Sequence, residues 1–377
     1  MRVRLGDYIK EYSVKNKNNE DIPVYSVSNS LGFCKDYFGK EVASKNKTTY
    51  KIVPRGCFAY NPSRINVGSV DWQNEEERVI VSPLYNVFSV SPLLDQQYLL
   101  YYLKSNVILS RIRAVASGSV RDNLKLSMLY EFPIDLISLD QQYDVVSTLN
   151  AVQKIIDLYQ KGLSYLDELV RARFVEMFGD PIENQKDWEV VKIRDIVTDV
   201  RYGTSKPAVE GGRYPYLRMN NLTVDGGLDL SDLKYIDIPD NEIEKCVVRK
   251  GDILFNRTNS IDLIGKTAVF NLLDDMVIAG YIIRIRLNNQ ILPEVFSQYM
   301  NLEAMKKVLR GMAKGAVNQA NINAQELQSI KVYIPNMELQ KQYVEFKEEI
   351  DKSRSRIQKS LEASQELFDS LMQEYFG

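Results

Sequence analysis

The short stretch Gly265-Lys266-Thr267 has the residue types that end a phosphate-binding loop, where a lysine and a hydroxyl side chain bind the phosphates of a nucleotide. Such a loop also requires a glycine at position 260, so that backbone N–H groups can turn towards the phosphates. This sequence has Ser260 there, and the residues after Thr267 run into two adjacent aspartates instead of opening a helix. The sequence therefore argues against an ATP or GTP site, and the lysine needs another explanation.

Histidine is absent from the 377 residues, which removes the usual general base, the commonest metal ligand and every Ser-His or Cys-His pair. The cysteines, Cys34, Cys57 and Cys246, lie far apart in the sequence, and no two of them share a metal-binding spacing. We predict that they are buried free thiols in a reducing compartment. The sequence thus predicts neither a catalytic residue nor a metal site in this chain.

The composition is that of an ordinary globular protein, with 45% apolar and 26% charged residues, and the length suggests two domains. The sequence has no apolar run of the roughly eighteen residues that a membrane span needs, and residues 1–12 lack the apolar centre of a signal peptide. We therefore expect a cytoplasmic protein. The net charge of −2 gives no protein-wide attraction to nucleic acid, although it leaves local basic patches open.

The chain carries the same plan twice. Residues 56–72 and 251–270 both read as a glycine, a short apolar strand, an asparagine, a polar stretch with arginine and serine, then a glycine and a second strand. Further pairs keep the same order, namely 116–123 with 313–320, 134–143 with 332–343, and Phe178-Gly179 with Phe376-Gly377. Tandem copies of one unit explain this order, and Lys266 belongs to one copy only.

Each copy divides into a globular part and a helical part. The globular parts are rich in short β-branched and aromatic runs broken by Gly, Asn and Pro, and each contains one helical patch, at 96–115 and 293–312. The helical parts contain no proline. The predicted fold class is α+β, with two globular domains and two long helices. The predicted segments are a first domain at 1–137, a central helix at 138–180, a second domain at 181–336 and a C-terminal helix at 337–377.

Apolar residues in the helical parts recur at steps of three and four, which is the seam of a coiled coil. A helix of about 38 residues is a rod of roughly 57 Å and cannot bury such a stripe alone. We therefore expect the two helices to pack on each other. The predicted helix-packing residues are Leu149, Val152, Ile156, Tyr159, Leu163, Leu166 and Val170 in the first helix, and Tyr343, Phe346, Ile350, Ile357, Leu361, Phe368 and Leu371 in the second.

A duplicated module with a Phe178-Gly179-Asp180-Pro181 stop after its first long helix, and Trp188 soon afterwards, resembles the specificity (S) subunit of type I restriction-modification enzymes. The resemblance covers nearly the whole chain. In the first domain Gly6-Asp7-Tyr8 and Gly56 are recognisable, whereas the Tyr-Gly-Thr-Ser element is missing, as expected if the two domains read different sequences. The second domain carries the more telling motifs, which are Tyr202-Gly203-Thr204-Ser205, Leu217-Arg218-Met219-Asn220-Asn221-Leu222, residues 225–230, residues 251–257 and Asn321-Ile322-Asn323.

The resemblance implies a non-catalytic DNA reader. Each globule would be a target-recognition domain for one half of a split, asymmetric sequence in double-stranded DNA, and the antiparallel helices would fix the spacing and dock two modification (M) subunits. Those partners would carry S-adenosylmethionine and methylate adenine N6, while restriction (R) subunits would add ATP- and Mg-dependent translocation and cleavage. This chain would bind no cofactor. Its nearest approach to an amino-methyltransferase signature, Tyr60-Asn61-Pro62-Ser63, departs from that signature at Ser63.

Loops with Asn, Gln, Arg and hydroxyl residues after strands are the best candidates for reading bases, because Asn or Gln can bridge adenine and Arg can bridge guanine. The candidates are Ser28, Asn29, Asn61, Ser63, Arg64, Asn66, Arg121 and Asn123 in the first domain, and Thr204, Ser205, Lys206, Asn220, Asn221, Arg257, Thr258, Asn259, Lys314, Asn318 and Gln319 in the second. Arg257 is the strongest, because the other copy places Arg64 in the same loop, while Lys206 and Lys314 suit phosphates. For each residue a bond to its own backbone, which makes a turn, is an open alternative.

Two other functions stay open on the sequence. The chain could be a self-contained DNA-modifying enzyme with one globule as its target domain, although cofactor and catalytic motifs are missing. It could also be a coiled-coil scaffold in which the Asn-, Arg- and Ser-rich loops are turns. Methyl transfer by the purified chain would favour the first alternative. A lack of salt-dependent DNA binding, even with M subunits present, would favour the second.

Overall fold

The structure is a computed structural model that describes residues 1–35, 46–116, 123–316 and 319–377. The chain forms two compact units. Unit 1 consists of Met1–Gln160 and Lys359–Gly377, and unit 2 consists of Lys161–Gln358. Each unit is therefore one globular part together with one half of each long helix, because both helices run from one unit into the other.

In the residues that the structure describes, the globular part of unit 1 is built from short strands and three α-helices. The strands are β1 (Arg2–Arg4), β2 (Ile9–Glu11), β3 (Ser26–Ser28), β4 (Gly32–Cys34), β5 (Lys51–Pro54), β6 (Phe58–Tyr60), β7 (Val70–Trp72), β8 (Arg78–Val81), β9 (Asn86–Val90) and β10 (Pro133–Asp135). The helices are α1 (Gln96–Lys104), α2 (Asn106–Ala116) and α3 (Leu126–Leu129). Strands β2-β9-β6-β7 form one sheet in this order, and three two-stranded sheets pair β1 with β10, β3 with β4 and β5 with β8.

The central helix α4 (Leu139–Phe178) precedes the globular part of unit 2. The strands there are β11 (Glu189–Lys192), β12 (Val197–Tyr202), β13 (Tyr214–Leu217), β14 (Lys234–Ile236), β15 (Val247–Val248), β16 (Ile253–Asn256), β17 (Thr258–Asn259), β18 (Thr267–Val269), β19 (Met276–Ile278), β20 (Ile282–Leu287), β21 (Lys314–Ala316), β22 (Gln319–Asn321) and β23 (Lys331–Ile334). The helices are α5 (Ile193–Ile196), α6 (Ile243–Cys246), α7 (Pro293–Asn301), α8 (Glu303–Met312) and α9 (Ala324–Ser329), and α10 (Met337–Phe376) ends the chain.

The sheets of unit 2 have strand orders β12-β20-β16-β18, β14-β13-β19-β15, β17-β22-β21 and β11-β23. Alternate side chains of β16 point to opposite faces of the first sheet, as the two-residue period of a strand requires. Ile253 and Phe255 join the apolar cluster that contains Phe296 of α7, whereas Leu254 joins the cluster that contains Ile278 of β19. Both faces of this sheet are therefore buried at β16, and the sheet is a rigid base for the loops at its ends.

The duplication predicted from the sequence is visible in the strand order. The sheet β2-β9-β6-β7 of unit 1 corresponds strand by strand to β12-β20-β16-β18 of unit 2. The repeated glycines also share a conformation, since φ is 83° at Gly56 and 93° at Gly251, and 86° at Gly68 and 76° at Gly265. Residues with a Cβ adopt this left-handed region only at a cost, so the glycines are required by the turns in both copies. The α+β fold class with an internal repeat is confirmed.

The two long helices end where the sequence predicts. Proline is absent from both, and Gly179, with φ at 85°, caps the central helix before Pro181. Within unit 2 the ring of Tyr343 lies 5.3 Å from that of Phe174 and 5.5 Å from that of Phe178, while Arg354 pairs with Asp167. Because later residues of α4 meet earlier residues of α10, the helices run antiparallel within unit 2.

The predicted helix seam coincides with the buried side of both helices. All of the predicted helix-packing residues are buried or half-buried, and Leu149 and Tyr343 are fully buried. Within unit 1, Leu149 joins an apolar cluster with Phe376, whose ring lies 5.1 Å from that of Tyr98 in α1. Each globular part is thus packed on its own pair of helix segments, which is how a helix with an apolar stripe is stabilised.

The thiols are free, as predicted, but they are not all buried. Cys57 and Cys246 are buried, and burial raises the pKa of both thiols, whereas Cys34 is half-buried. Among the helices in the described part of the chain, none combines the length and apolarity that crossing a membrane requires.

The packing of Tyr343 gives a prediction about stability. Its hydroxyl group is buried, and among the described residues it has no hydrogen-bond partner. We expect Tyr343→Phe to raise the free energy of unfolding by about 1 kcal/mol, because the phenylalanine keeps the ring and removes an unsatisfied polar group. Tyr343→Ala should lower it by roughly 3–5 kcal/mol through the cavity it leaves.

Urea unfolding of the full chain measures both changes. The matched control is Tyr143→Phe. Tyr143 is an exposed tyrosine of the long helix α4, so this change should leave the free energy of unfolding unchanged. A loss of stability in Tyr343→Phe would contradict the prediction, because it would show that the hydroxyl group makes a stabilising hydrogen bond in the folded protein.

Candidate nucleic-acid interface

The largest concentration of predicted site residues lines a cavity of about 560 Å³ in unit 2. The cavity lies where the segment after β12, the turn after β13, the loop after β16 and the β19–β20 turn come together. Its walls include the predicted candidates Thr204, Ser205, Lys206, Asn220 and Arg257. Five candidates from three separate segments of the sequence therefore share one site.

Gly203 allows the Thr204 segment to lie against the β19–β20 turn. A Cβ at this position would be 2.2 Å from the carbonyl oxygen of Ile278, so only glycine fits without a shift of the backbone. The N–H of Thr204 donates to the Ile278 carbonyl at 2.9 Å, and the N–H of Gly280 donates to the Thr204 carbonyl at 2.8 Å. The Tyr216 hydroxyl group adds a bond to the Thr204 carbonyl at 3.2 Å. These bonds fix one wall of the cavity.

Lys266, the lysine of the apparent phosphate-binding loop, holds a second wall. Its side chain is buried, and its Nζ donates to the carbonyl oxygens of Met219 at 2.7 Å and Leu222 at 2.5 Å. Asn221 is also buried, and it bonds the Arg218 N–H and the Asp229 carbonyl. The turn that presents Asn220 to the cavity is therefore fixed from inside, and burial lowers the pKa of Lys266.

Arg257 differs from the other cations of the cavity because no carboxylate pairs with it in the part of the chain that the structure describes. Its guanidinium group lies over the ring of Tyr202, with 4.9 Å between Cζ and the ring centroid, and its Nη1 donates to the Gly280 carbonyl at 3.3 Å. Arg218 instead pairs with Asp232 at 2.7 Å, and Lys206 pairs with Glu242 at 2.8 Å.

The remaining described candidates of unit 2 lie on the three-stranded sheet β17-β22-β21. Thr258 is buried, and its hydroxyl group donates to the side chain of Asn321 at 2.9 Å, while Asn259 bonds the Asn256 side chain at 2.8 Å. Lys314 and Gln319 are exposed, and Lys314 pairs with Glu326 at 2.5 Å, which lowers the pKa of that carboxyl group. Thr258 and Asn259 therefore support the loop, whereas Lys314 and Gln319 face outwards.

In unit 1 a smaller cleft of about 280 Å³ brings together Ser28, Asn29, Asn61 and Arg64. Ser28 is buried, and its Oγ accepts the N–H of Leu31, which makes it a turn residue. Asn61 accepts the N–H and hydroxyl group of Ser63 in the same way.

Asn66 and Asn123 are the other described candidates of unit 1, and both lie near this loop. The Asn66 carbonyl accepts Nε–H of Arg113 at 3.2 Å, and Asn123 precedes Leu124, whose N–H donates to the Pro62 carbonyl. Arg121, like Asn318 of the second domain, lies outside the described residues.

The structure gives some of the candidates a role in the local fold and adds residues that were not candidates. Asn221, Thr258 and Ser28 are buried and bonded within the protein, so a role in the local fold accounts for them. Polar residues that were not among the sequence candidates also line the cavity, namely Tyr216, Arg218 and Tyr281, and Tyr202 supports Arg257 from outside the lining. Their motifs were recognisable, but a contact between residues 202 and 257 has no signature in the sequence.

The profile of the family described as Type I restriction modification DNA specificity domain matches residues 4–166 and, a second time, residues 185–365. The chain belongs to this family. The two specificity domains correspond to the two copies of the internal repeat, so the resemblance drawn from the sequence is confirmed.

Individual relatives agree with this assignment. A candidate type I restriction enzyme MjaX specificity subunit from Methanocaldococcus jannaschii is 31% identical over 198 residues, which are 52% of this chain and 46% of that protein. This chain therefore matches about half the length of that relative. The EcoKI specificity subunit of Escherichia coli K12 is 20% identical over 379 residues, covering 95% of this chain and 82% of that protein.

A solved structure shares the fold of the chain. The crystal structure of the type I restriction-modification S subunit from M. genitalium is similar over 100% of this chain and 96% of that chain, with a TM-score of 0.56 and 15% sequence identity.

Besides Lys266, unit 2 has a second buried lysine beside a loop of the cavity, and it gives a prediction about how stability depends on pH. Lys306 of α8 donates from Nζ to the Gly265 carbonyl at 2.5 Å and to the Asn301 side chain at 2.8 Å, and burial lowers its pKa to about 7. A lysine in the unfolded chain stays protonated to about pH 10.4. Between these values the unfolded state binds the extra proton, so stability rises with pH.

We expect the free energy of unfolding to increase by about 2 kcal/mol from pH 7 to pH 8.5, at roughly 1.4 kcal/mol per unit. Lys306→Met should remove most of this increase. No histidine titrates in this range, and the raised pKa values of the Cys57 and Cys246 thiols oppose the increase only towards pH 8.5 and equally in every variant. The matched control is the exposed neighbour, Lys307→Met, which should retain the increase. Urea unfolding across the pH range measures the change in the free energy of unfolding. An equal dependence on pH in both variants would contradict the prediction.

Proposed function

We propose that this chain is the DNA sequence-recognition subunit of a type I restriction-modification enzyme, and that each specificity domain reads one half of a bipartite, asymmetric target. The observation that carries the proposal is duplication with divergence. The loops after β6 and β16 occupy the same place in the repeat, and both carry Asn and Arg, but they line clefts of different size and composition. Two copies of one fold with unlike linings are what two readers of different sequences need.

Recognition in this proposal relies on local contacts, because 48 basic and 50 acidic residues leave no positive field over the protein. Lys206 and Lys314 suit the phosphate backbone. Each is paired with a carboxylate at the surface, where such a pair contributes only about 0–1 kcal/mol, so a DNA phosphate can replace the partner at little cost. Asn220, Gln319 and Arg257 carry the donors and acceptors that distinguish base edges.

The long helices offer surfaces for the modification subunits. Ile155 and Leu158 in unit 1, and Tyr165 and Leu169 in unit 2, are exposed apolar residues of α4 that point away from the helix seam. Exposed apolar residues at helical spacing are typical of a surface that a partner covers. In this proposal methylation with S-adenosylmethionine, and cleavage with ATP and Mg, belong to the M and R partners, and the complex acts in the cytoplasm.

A selection experiment tests the proposed function. The full chain, reconstituted with its modification subunits, would be used to select bound duplexes from a random DNA library at low and moderate salt. The proposal predicts two defined half-sites separated by a gap of undefined sequence, with affinity that falls as salt rises. Selection of a single continuous site, or of no sequence at all, would contradict it.

The separate action of the two domains predicts half-specific variants. Arg257→Ala should reduce selection at one half-site by about tenfold or more and leave the other unchanged, because a bidentate arginine contact is worth roughly 1–3 kcal/mol. Arg64→Ala should affect the opposite half-site. The measurement is the same selection with each variant complex, and an equal loss at both half-sites in either variant would contradict independent reading.

Helix length should set the gap between the half-sites. Seven residues inserted after Gln160 in α4, with seven inserted after Gln358 in α10, preserve the seam and lengthen each helix by roughly 10.5 Å. We expect the gap to grow by about three base pairs, at 3.4 Å per base pair, while both half-site sequences stay the same. The control is an insertion in α4 alone, which breaks the register and should abolish binding. An unchanged gap in the matched pair would show that the helices do not set the spacing.

A further inference from the structure

Arg257 is a charged side chain whose hydrogen-bonding capacity is mostly unused. A guanidinium group has five N–H donors. Within the described residues the guanidinium group of Arg257 donates one hydrogen bond, the 3.3 Å bond from Nη1 to the Gly280 carbonyl, and its Nε is buried with no hydrogen-bond partner. By contrast, both Nη groups of Arg284 are bonded, to the Glu244 and Val247 carbonyls and the Asp199 carboxylate, although its Nε is also buried without a partner among the described residues. The unused donors of Arg257 therefore point to a partner outside the chain.

The position of Arg257 is fixed before any partner binds. Its backbone is held from two sides, since its N–H donates to the Tyr281 carbonyl and its carbonyl accepts the N–H of Ile322, both at 2.9 Å. Its guanidinium group lies over the ring of Tyr202, with Cζ 4.9 Å from the ring centroid. Tyr202 is fixed in turn, because β12 pairs it with Ile283 and its hydroxyl group accepts the backbone N–H of Ala324 at 2.8 Å.

A fixed guanidinium plane matters for some ligands more than for others. A phosphate presents oxygens in several directions, so a flexible lysine or arginine binds it well. The edge of guanine presents O6 and N7 side by side in the plane of the base, and reading it requires two donors held in that plane. The walls beside Arg257 include the apolar Pro207, Ala208 and Ala279, and the other cations that line the cavity, Lys206 and Arg218, are already paired with carboxylates.

We propose that Arg257 reads a guanine in the half-site of the second specificity domain, through two N–H groups that donate to O6 and N7. Tyr202 is the positioning residue that holds the guanidinium plane. This inference rests on the proposed function and adds to it a named base and a named support. It requires that the half-site selected by the second domain contains a G·C pair.

The test removes one acceptor from the DNA and leaves every phosphate in place. The complex of the full chain with its modification subunits would be titrated with duplexes in which each guanine of that half-site is replaced in turn by 7-deazaguanine, which has C–H instead of N7. At one position the wild-type complex should lose about tenfold in affinity, as expected for a charge-assisted hydrogen bond.

Variants then identify the residue. Arg257→Lys keeps the charge but not the planar pair of donors, so it should bind the natural half-site about tenfold more weakly and be indifferent to 7-deazaguanine at that position. Tyr202→Leu should reduce the same discrimination, and Tyr202→Phe, which keeps the ring, should retain most of it. The matched control is Arg213→Lys, because Arg213 also lies over a tyrosine ring, at 5.0 Å, but pairs with Asp240 and does not line the cavity. It should behave like the wild type.

The outcomes separate this inference from the proposed function. A wild-type complex that recognises both half-sites but tolerates 7-deazaguanine everywhere in the second would overturn the guanine contact and leave the recognition role standing. So would a weaker salt dependence in Arg257→Ala without any change in base preference, which is the signature of a phosphate contact. A wild-type complex with no sequence preference would overturn the proposed function and the inference together. The 7-deazaguanine titration of the wild type stands even where a variant fails to fold.

Discussion

The two hydrogen bonds that the buried ammonium group of Lys266 donates to backbone carbonyls are the interaction on which the candidate interface of unit 2 depends. A turn next to a sheet leaves carbonyl oxygens that need donors before the turn can hold one conformation. Lys266 supplies donors to Met219 and Leu222, and Lys306 supplies one to Gly265 in the neighbouring loop. The loops are thus fixed from within the protein, and the side chains at their surface remain available to a partner.

This internal bracing explains how the cavity can be both polar and ordered. The sheet β12-β20-β16-β18 is buried on both faces at β16 and supports the loop of Arg257, while Gly203 lets the Thr204 segment approach Ile278 closely. Arg218 and Lys206 beside the site are paired with carboxylates, whereas Arg257 has no carboxylate partner among the described residues, so it is distinctive for its environment and not for its charge alone. The same plan, with other side chains, recurs in unit 1, which is the physical basis for two readers in one chain.

Much of the fold could be predicted from the sequence, because the signals are local. The absence of proline and the seam from Leu149 to Val170 define the helices, and the order of repeated motifs defines the duplication. Part of the site could also be predicted, since Asn220 and Arg257 follow strands in recognisable motifs. The support of Arg257 by Tyr202 and the bonds of Lys266 could not be predicted, because they join residues that only the tertiary fold brings together. For the same reason Asn221 and Thr258 were expected at the DNA, but the structure buries them.

The central claim is that this one chain determines both halves of a split DNA sequence. The most direct measurement is a genome-wide map of N6-methyladenine in cells with and without its gene, with the genes for the modification partners present in both. The account predicts that methylation at one bipartite motif, with two defined halves and a gap of undefined sequence, is present with the gene and lost without it. Methylation that is unchanged by deletion would contradict the account, and so would a lost motif that is continuous.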